Sequence, residues 1–457
     1  MEIVFIIFFA LIGFGLLVFI HEFGHFITGK FFKVGIEVFS FGWGKEWFGF
    51  DYKGTHYQVS MIPIGGFCKF AGEHPDGTLT EKERRKPGTF YGISPFKRLL
   101  IVLSGPFFNY FLAIIILTCF NFFRQELETL PTTVVLIDEI SPEQYPQESP
   151  AKKGGMLTGD KIISVSGKKI NEWNDLSKIV ALNPKKPMVF EVERYGEIKT
   201  LTVTPEWDKE AMRAMIGIST YIPAKIKNVT KGSLAEKLGL KANDQIISLD
   251  KNKDINNYAM IDSYLSKTQD QARIFITLER NGEQVTLNST FHKSLINDNV
   301  GYGIEYYLPL RIIKGQWLIP AFAKGFIQAN QRVADIFQSL RLLVTQKMQW
   351  DKAVAGPIRG GYYLGKYAVT GFTRGISTGF SAFFNFVALI SLLLFVGNLL
   401  PIPALDGGHV IISIGEIIMK KPIKLELLGK INAIGFAILF TLIIVVTFWD
   451  ILFLIKL

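Results

Sequence analysis

The sequence predicts a polytopic α-helical membrane protein with four transmembrane helices, a β-hairpin loop on the cytoplasmic side and two tandem α+β domains on the outer side. Three observations carry this prediction: four long uncharged apolar segments, the placement of the basic residues, and a repeat inside a polar insert. The chain has 457 residues and a mean hydropathy of +0.26, which is high for a soluble protein. Each apolar segment meets or approaches the roughly 20 residues that a helix needs to cross a hydrocarbon core.

The apolar segments are Ile3–Ile20, Leu99–Phe123, Gly375–Leu405 and Ile431–Trp449. They divide the chain into regions that we expect to fold as follows: a first span with a histidine motif (1–33), a cytoplasmic-side or membrane-re-entrant β-hairpin loop (34–98), a second span (99–123), a first repeat domain (124–210), a second repeat domain (211–305), interfacial amphipathic helices with a linker (306–374), a third span leading into Leu-Asp-Gly-Gly-His (375–405), a cytoplasmic loop (406–430) and a fourth span (431–457).

The basic residues predict the orientation of the spans. The net charge is +10, and residues 29–98 hold eleven of the Lys and Arg side chains. A second basic cluster, Lys420, Lys421 and Lys424, follows the third apolar segment. Cytoplasmic loops of membrane proteins carry an excess of Lys and Arg. We therefore expect both basic loops in the cytoplasm, both termini and the polar insert outside, and no nucleic-acid partner.

A metal-binding pattern stands at the end of the first apolar segment, in the sequence His21-Glu-Phe-Gly-His25. On a helix the two histidines lie one turn apart on the same face, where two imidazoles can hold one zinc ion. Glu22 lies beside them, in position to take a proton from water. Ionisable residues at the mouth of a membrane span are costly and need a functional reason. The pattern predicts a metalloprotease that cuts inside or at the edge of the bilayer.

Catalytic zinc sites hold the metal with three protein ligands and keep a fourth position for water. The chain has six histidines, His21, His25, His56, His74, His292 and His409. His292 falls in the outer insert, and His56 and His74 fall in the polar cytoplasmic loop. Asp406 ends the third apolar segment at the same predicted depth as the first two histidines, which makes it the predicted third ligand. His409 is the second choice, because it lies further into the cytoplasm.

The residues around Asp406 favour a ligand over a simple helix cap at the interface. Pro401 and Pro403 interrupt the helix before it, and Gly407 and Gly408 let the backbone approach closely after it. Such irregular backbone at membrane depth occurs inside protein or beside a water-filled cavity. Asn398, within the same apolar segment, is a candidate donor to a substrate carbonyl, and a helix-packing hydrogen bond is the alternative.

The loop from Val34 to Phe70 is predicted to form β-hairpins, since it is rich in aromatic and β-branched residues punctuated by glycines and ends in Ile62-Pro-Ile-Gly-Gly66. One interpretation is a cap that packs on the helices. The other is a clamp, because an extended substrate could add to an open sheet edge as a further strand.

The polar insert contains two similar copies of one sequence, offset by 84 residues. Ser149–Ser164 aligns with Ser233–Ser248, and Asp160 aligns with Asp244. A repeat of this period indicates two tandem domains. Each copy resembles a PDZ domain, so the predicted outer domains are PDZ-like. They are interpreted either as peptide-binding grooves or as a steric gate.

Residues 308–370 place Trp317, Phe322, Phe326 and Phe337 among basic residues at helical spacing. This pattern is typical of a helix that lies on a membrane surface, and packing against the PDZ-like pair is the alternative.

Taken together, the motifs resemble the site-2 protease family, and specifically its bacterial subgroup with two outer PDZ-like domains. The resemblance rests on His21–His25, Asn398 and Leu405–His409, and on the sequence Gly105-Pro-Phe-Phe-Asn109 in the second span. It implies one zinc ion held by His21, His25 and Asp406, with Glu22 as the catalytic base. It implies substrate or oxyanion contacts from Asn398, Gly65 and Gly66. Structural roles near the site are expected for Gly105, Pro106, Asn109, Pro401, Pro403, Gly407 and Gly408.

The resemblance further implies an intramembrane endopeptidase of a bacterial inner membrane. Its partners would be the lipid bilayer and single-pass membrane proteins already trimmed by another protease, such as an anti-sigma factor or remnant signal peptides; we expect a monomer. One departure is visible, since relatives often carry a second Asn where this chain has Ser391–Leu394. Two alternatives remain, a scaffold with a structural metal and a metal transporter. A structural site needs four protein ligands, and a transporter needs further polar residues along its spans.

Overall fold

The computed structural model describes residues 2–73, 80–123, 125–141, 147–208, 213–250, 255–296, 301–344, 355–373 and 375–455. The chain divides into two compact units. The first combines Met1–Gln125 with Lys314–Leu457, and the second is Glu126–Ile313. His74, a histidine weighed above as a ligand, lies outside the described residues.

The helices of the described residues are α1 (Glu2–Phe31), α2 (Glu81–Arg84), α3 (Pro95–Phe122), α4 (Ile137–Ile140), α5 (Pro150–Lys153), α6 (Trp173–Ala181), α7 (Leu234–Lys237), α8 (Tyr258–Lys267), α9 (Leu318–Val344), α10 (Pro357–Thr373), α11 (Ile376–Asn398), α12 (Asp406–Met419) and α13 (Leu425–Ile455). The strands are β1 (Ile36–Tyr52), β2 (Thr55–Phe70), β3 (Gln125–Glu128), β4 (Val134–Leu136), β5 (Lys161–Val165), β6 (Lys168–Lys169), β7 (Met188–Arg194), β8 (Glu197–Val203), β9 (Glu206–Asp208), β10 (Arg213–Met215), β11 (Ile218–Thr220), β12 (Ile226–Val229), β13 (Gln245–Leu249), β14 (Arg273–Arg280), β15 (Glu283–Thr290), β16 (Ile304–Tyr306) and β17 (Leu310–Ile313).

Four helices in the described part of the chain are long and apolar enough to cross a membrane, namely α1, α3, α11 and α13. The prediction of four spans is confirmed at this level. The third helix is shorter than predicted, because α11 ends at Asn398 rather than at Leu405. Pro401 and Pro403 lack the N–H that a continuing helix requires, so the residues up to Leu405 form an irregular connection. Helix α12 then begins inside the segment predicted as a loop.

The first unit is built around α1, α3 and α11, whose buried apolar side chains form one core that includes Leu17, Leu117 and Leu392. Helices α1 and α3 approach closely at Gly24, where an added Cβ would lie 2.6 Å from the main-chain oxygen of Ser104. Small residues at such a crossing let two membrane helices pack backbone against backbone. This contact brings the histidine-bearing end of α1 against the first half of α3.

Two amphipathic helices complete this bundle. Helix α9 packs on α3, with Ala321 and Ala329 fully buried and Gly325 too close to Thr118 to accept a Cβ. Its aromatic residues Phe322 and Phe326 are about half exposed, and the ring of Phe326 lies 6.4 Å from that of Tyr110 on α3. One face thus belongs to the bundle, and the interfacial position of the exposed face stays a prediction. Helix α10 packs on α1 and α11.

Strands β1 and β2 form one irregular antiparallel hairpin between α1 and α3. Residues Val38–Phe41 of β1 pair with two separate parts of β2, His56–Val59 and Gly66–Lys69. Val38–Phe41 is therefore a central strand of the sheet, with a segment of β2 on each side. Among the described strands, β1 is the one that pairs with the Gly66–Lys69 part, so this part is an edge of the sheet.

In the second unit, the two copies of the sequence repeat make equivalent hydrogen bonds. Ser149 caps α5 and Ser233 caps α7 through the same side-chain acceptor position. In the first copy, Arg194 donates from Nε and from a terminal nitrogen to Asp160, and also bonds the main-chain oxygen of Gly155.

Arg280 makes the equivalent three bonds to Asp244 and to the main-chain oxygen of Gly239 in the second copy. Each copy also has its own apolar core, one containing Phe190 and the other Phe291. The four-stranded sheet β6-β5-β7-β8 belongs to the first copy, and the three-stranded sheet β13-β14-β15 belongs to the second.

Candidate metal centre

The last turns of α1 present His21 and His25 on the side that faces α3. The Nδ1–H of His25 donates to the main-chain oxygen of Ile101 at 2.8 Å. Because a carbonyl oxygen only accepts, this bond places the ring proton on Nδ1 and leaves Nε2 free to bind a metal. The Nε2 atoms of the two histidines lie 3.2 Å apart.

The carboxylate of Asp406 completes the group from the start of α12. Its Oδ2 lies 3.1 Å from Nε2 of His21 and 3.6 Å from Nε2 of His25. Asp406 is the first residue of the helix rather than its N-cap, which is Leu405. Burial alone would raise the pKa of the Asp406 carboxyl, but the adjacent His25 and His21 lower it below its ordinary value. The group is thus a carboxylate, the form that binds metals.

The connection before α12 is packed tightly enough to require its glycines. A Cβ on Gly407 would lie 2.0 Å from the main-chain oxygen of Leu400, and a Cβ on Gly408 would lie 2.6 Å from that of Ile402. Ala404, which follows Pro401 and Pro403, has a left-handed φ of 76°. The backbone is therefore compressed at this point, as the sequence indicated. The compression fixes where the Asp406 side chain leaves the helix.

The three side chains fit a zinc ion. Their ligand atoms all lie within 4.8 Å of one another. Ligands placed about 2.0–2.2 Å from a tetrahedral ion are about 3.3–3.6 Å apart, close to the separations seen here. In addition, Oδ2 of Asp406 is buried and accepts no hydrogen bond from the described residues, which is costly unless another partner binds it. Two imidazoles and a carboxylate are also the ligand types of a hydrolytic zinc site.

Helix α3 covers the other side of the two histidines. A Cβ on Gly105 would lie 2.3 Å from Nε2 of His25 and 2.9 Å from Nε2 of His21, so only glycine leaves room for the ligands. Pro106 follows inside the helix, and the side chain of Asn109, one turn after Gly105, reaches the ring of His21.

The group opens on a cavity of about 500 Å³. The residues proposed for substrate contact all line it, together with the proposed base and the histidine ranked second as a ligand: Glu22, Gly65, Gly66, Asn398 and His409. Gly65 and Gly66 belong to β2, whose edge thus borders the cavity. His409 is not part of the ligand group. Burial lowers its pKa, so its imidazole is neutral.

The site also contains groups that do not belong to any of the sequence motifs. Glu73, just beyond β2, lines the cavity, and burial raises the pKa of its carboxyl to about 7. The main-chain N–H of Cys68 faces Glu22, and burial raises the pKa of its own thiol. The main-chain oxygen of Ile101 orients His25. No side-chain pattern could identify a backbone group, and Glu73 precedes the polar sequence His74-Pro-Asp76, which gives no signal of its burial.

The remaining described histidines lie away from the metal group. On the hairpin, the Nε2 of His56 lies 3.0 Å from Glu46, and its Nδ1 lies 3.0 Å from Asp51. The two carboxylates raise the pKa of this exposed imidazole. His292 is in the second unit, directly before the short 3₁₀ turn Lys293–Leu295. Among the described residues, His21, His25 and Asp406 form the group whose ligand atoms could share one metal ion.

Comparisons with known proteins agree with this chemistry. The model of peptidase family M50 matches residues 9–442. A "Putative zinc metalloprotease" of Treponema pallidum is 27% identical over 444 residues, covering 95% of this chain and 96% of that protein. One from Borreliella burgdorferi is 30% identical over 440 residues, covering 94% of each. The "Regulator of sigma E protease" of Haemophilus influenzae is 27% identical over 473 residues, covering 97% of each.

The family match covers nearly the whole chain and includes His21, His25 and Asp406. The resemblance to the site-2 protease family, and the assignment of zinc as the metal, are thereby confirmed. The chain belongs to peptidase family M50, the site-2 protease family, and is a zinc metalloprotease.

Proposed function

We propose that this protein is a zinc-dependent intramembrane endopeptidase that cuts the transmembrane segments of single-pass membrane proteins. The observation that carries the proposal is the position of the ligand group. His21 and His25 belong to the apolar helix α1, and Asp406 opens α12, which follows the apolar helix α11 after an irregular connection. A metal group held between α1 and the segment that follows α11 can act on a peptide bond that never leaves the bilayer.

The orientation of the spans supports a site near the cytoplasmic side of a bacterial inner membrane. The basic residues of 29–98 and 420–424 flank the helices that carry the ligand group. By the positive-inside rule these segments face the cytoplasm, and the termini and residues 126–313 face outward. The similarity to the regulator protein of Haemophilus influenzae favours the same membrane.

The chemistry follows from the residues around the cavity. Zinc held by His21, His25 and Asp406 would lower the pKa of a bound water towards about 7 and polarise the peptide carbonyl. Glu22 takes the proton from the attacking water and then passes it to the leaving amine. Asn398 donates to the carbonyl oxygen as negative charge develops there. The main-chain oxygen of Ile101 holds His25 in place. The start of α12 does the same for Asp406.

A substrate helix hides its carbonyl groups in internal hydrogen bonds, so it must unwind before it is cut. The edge of β2 from Gly66 to Lys69 borders the cavity and has a free side among the described strands. An unwound substrate can pair with this edge as an added strand, which favours the clamp interpretation of the hairpin. Helix-weakening residues in the substrate span then increase the cleavage rate.

The two repeats of the second unit act, in this proposal, as PDZ-like domains that exclude substrates with large outer domains. Membrane proteins trimmed by another protease, such as an anti-sigma factor or a remnant signal peptide, pass this filter. The duplicated Ser caps and Arg–Asp pairs support two copies of one domain.

The test is a Glu22→Gln variant of the full chain in lipid vesicles that contain a model single-pass substrate. We expect the variant to keep its zinc and to lose cleavage by about 10²–10⁴-fold, the usual contribution of a general base. Glu46→Gln, on the hairpin and outside the ligand group, serves as the matched control and keeps both. A zinc-loaded Glu22→Gln variant that still cuts at the wild-type rate would show that Glu22 is not the catalytic base and would refute this mechanism.

A further inference from the structure

The two histidines of the ligand group differ in what holds their Nδ1 atoms. For His25 the partner is a main-chain oxygen, that of Ile101 at 2.8 Å. For His21 the partner is a side chain, since Nδ1 lies 3.3 Å from the amide nitrogen of Asn109 on α3. A metal-binding histidine usually donates its second ring N–H to an oxygen acceptor, which fixes the tautomer and the ring orientation.

The side-chain oxygen of Asn109 is an acceptor without a hydrogen bond among the described residues. The residue is fully buried, and its Oδ1 has no hydrogen-bond partner among the described residues. A buried amide oxygen without a partner is unfavourable. A half-turn of the side-chain amide exchanges Oδ1 and Nδ2 in nearly the same volume, and it directs Oδ1 at the ring of His21.

The metal explains why the amide suits this position. When Nε2 of His21 binds a metal, the ring proton must sit on Nδ1, and that N–H needs an acceptor. With Nδ2 towards the ring, at 3.3 Å from Nδ1 as found here, the amide can instead donate to the other tautomer of His21. An amide can serve both tautomers because it carries a donor and an acceptor.

The position of Asn109 is fixed independently of its side chain. The hydroxyl of Ser391 on α11 donates to the main-chain oxygen of Asn109 at 2.8 Å, and Ser391 is fully buried. Helix α3 is therefore tied to α11 at the residue whose side chain reaches α1. Three membrane helices meet at this point, directly behind one metal ligand.

We infer that Asn109 is the positioning residue of the metal centre: its amide oxygen accepts the Nδ1–H of metal-bound His21 and so sets the affinity for zinc. The inference rests on the zinc site of the proposed function. It assigns to Asn109 a polar role in metal binding, where the sequence motif indicated only close helix packing.

The experiment measures the zinc affinity of the full chain in detergent by competition with a chelator, for wild type and three variants. Asn109→Leu removes the acceptor at similar volume, and we expect zinc affinity about 10–100-fold weaker, the usual cost of losing such a partner. Asn109→Asp keeps an oxygen acceptor, and we expect wild-type affinity or tighter binding. The matched control is Asn121→Leu, which removes another buried amide from α3 far from the ligands.

The thermal stability of each metal-free form is measured alongside, so that a packing defect is seen without the metal. Wild-type affinity in Asn109→Leu would overturn the inference, as would an equal loss in Asn109→Asp and Asn109→Leu. Failure of the wild-type chain to bind zinc would instead refute the metal site on which the proposed function depends.

Discussion

The carboxylate Oδ2 of Asp406 lies 3.1 Å from Nε2 of His21, although the two residues stand near opposite ends of the chain. The contact joins the end of one membrane helix to the residue that opens α12. The contact requires α1, α11 and α12 to fold around α3. The metal group therefore forms only when these helices of the first unit are assembled.

Asp406 and His409 allow the third ligand to be identified experimentally. We predict that Asp406→Ala weakens zinc binding by more than the about 10–100-fold that loss of an outer partner costs, because it removes a ligand atom. His409 lines the same cavity, but the His409→Ala variant is predicted to keep its metal. Zinc content after dialysis against a weak chelator checks both variants. Retention by Asp406→Ala together with loss in His409→Ala would reverse the assignment.

Gly105 is predicted to be essential for metal binding through its lack of a side chain. A Cβ there would lie 2.3 Å from Nε2 of His25, so Gly105→Ala must displace a ligand and overpack the helix contact, at a cost of about 1–3 kcal/mol. Gly429→Ala in α13 is the matched control, since nothing lies within 4 Å of its added Cβ. Thermal unfolding and zinc affinity test both variants. Equal behaviour of the two would contradict the close approach.

The raised pKa of the Glu73 carboxyl leads us to predict that the stability of the folded protein depends on pH. Burial raises the pKa of its carboxyl from 4.5 to about 7, so the folded protein keeps a proton that the unfolded chain releases between these values. Stability from this group therefore falls as the pH rises from about 4.5 to about 7, by at most about 3 kcal/mol. Glu73→Gln should be more stable than wild type at pH 8 and equal to it at pH 4. A difference that is the same at both pH values would refute this account.

The buried pair of Arg98 on α3 and Glu416 on α12 predicts strong coupling. The guanidinium of Arg98 donates to Glu416, whose other oxygen accepts from the main-chain N–H of Ile423. Arg98→Met leaves a buried carboxylate without its partner and should cost about 3–5 kcal/mol. The double variant Arg98→Met with Glu416→Gln should recover part of that loss in a double-mutant cycle. Additive losses would show that the pair does not anchor α12.

Much of the ligand group was predictable because its signals are local or topological. His21 and His25 are one helical turn apart, and the depth of Asp406 follows from counting apolar residues. The end of α11 was less predictable. The uncharged stretch continues to Leu405, but hydrogen-bond geometry at Pro401 and Pro403 ends the helix at Asn398.

Other parts of the site depend on long-range packing that a sequence does not display. The main-chain oxygen of Ile101 becomes a partner of His25 only because α3 crosses α1 at Gly24. The double pairing of Val38–Phe41 arises because β2 returns along the other side of this segment, whereas alternation alone predicts simple two-stranded pairing. The polar role of Asn109 was hidden for the same reason, since its neighbour His21 comes from another helix.

The most direct test of the central claim is the location of the cut. The zinc-loaded full chain is placed in lipid vesicles with a single-pass substrate that has one apolar segment and a short outer tail, and the products are analysed by mass spectrometry. We predict new termini inside the apolar segment, in its cytoplasmic half. Cleavage confined to the polar flanks, with the apolar segment intact, would contradict an active site at membrane depth.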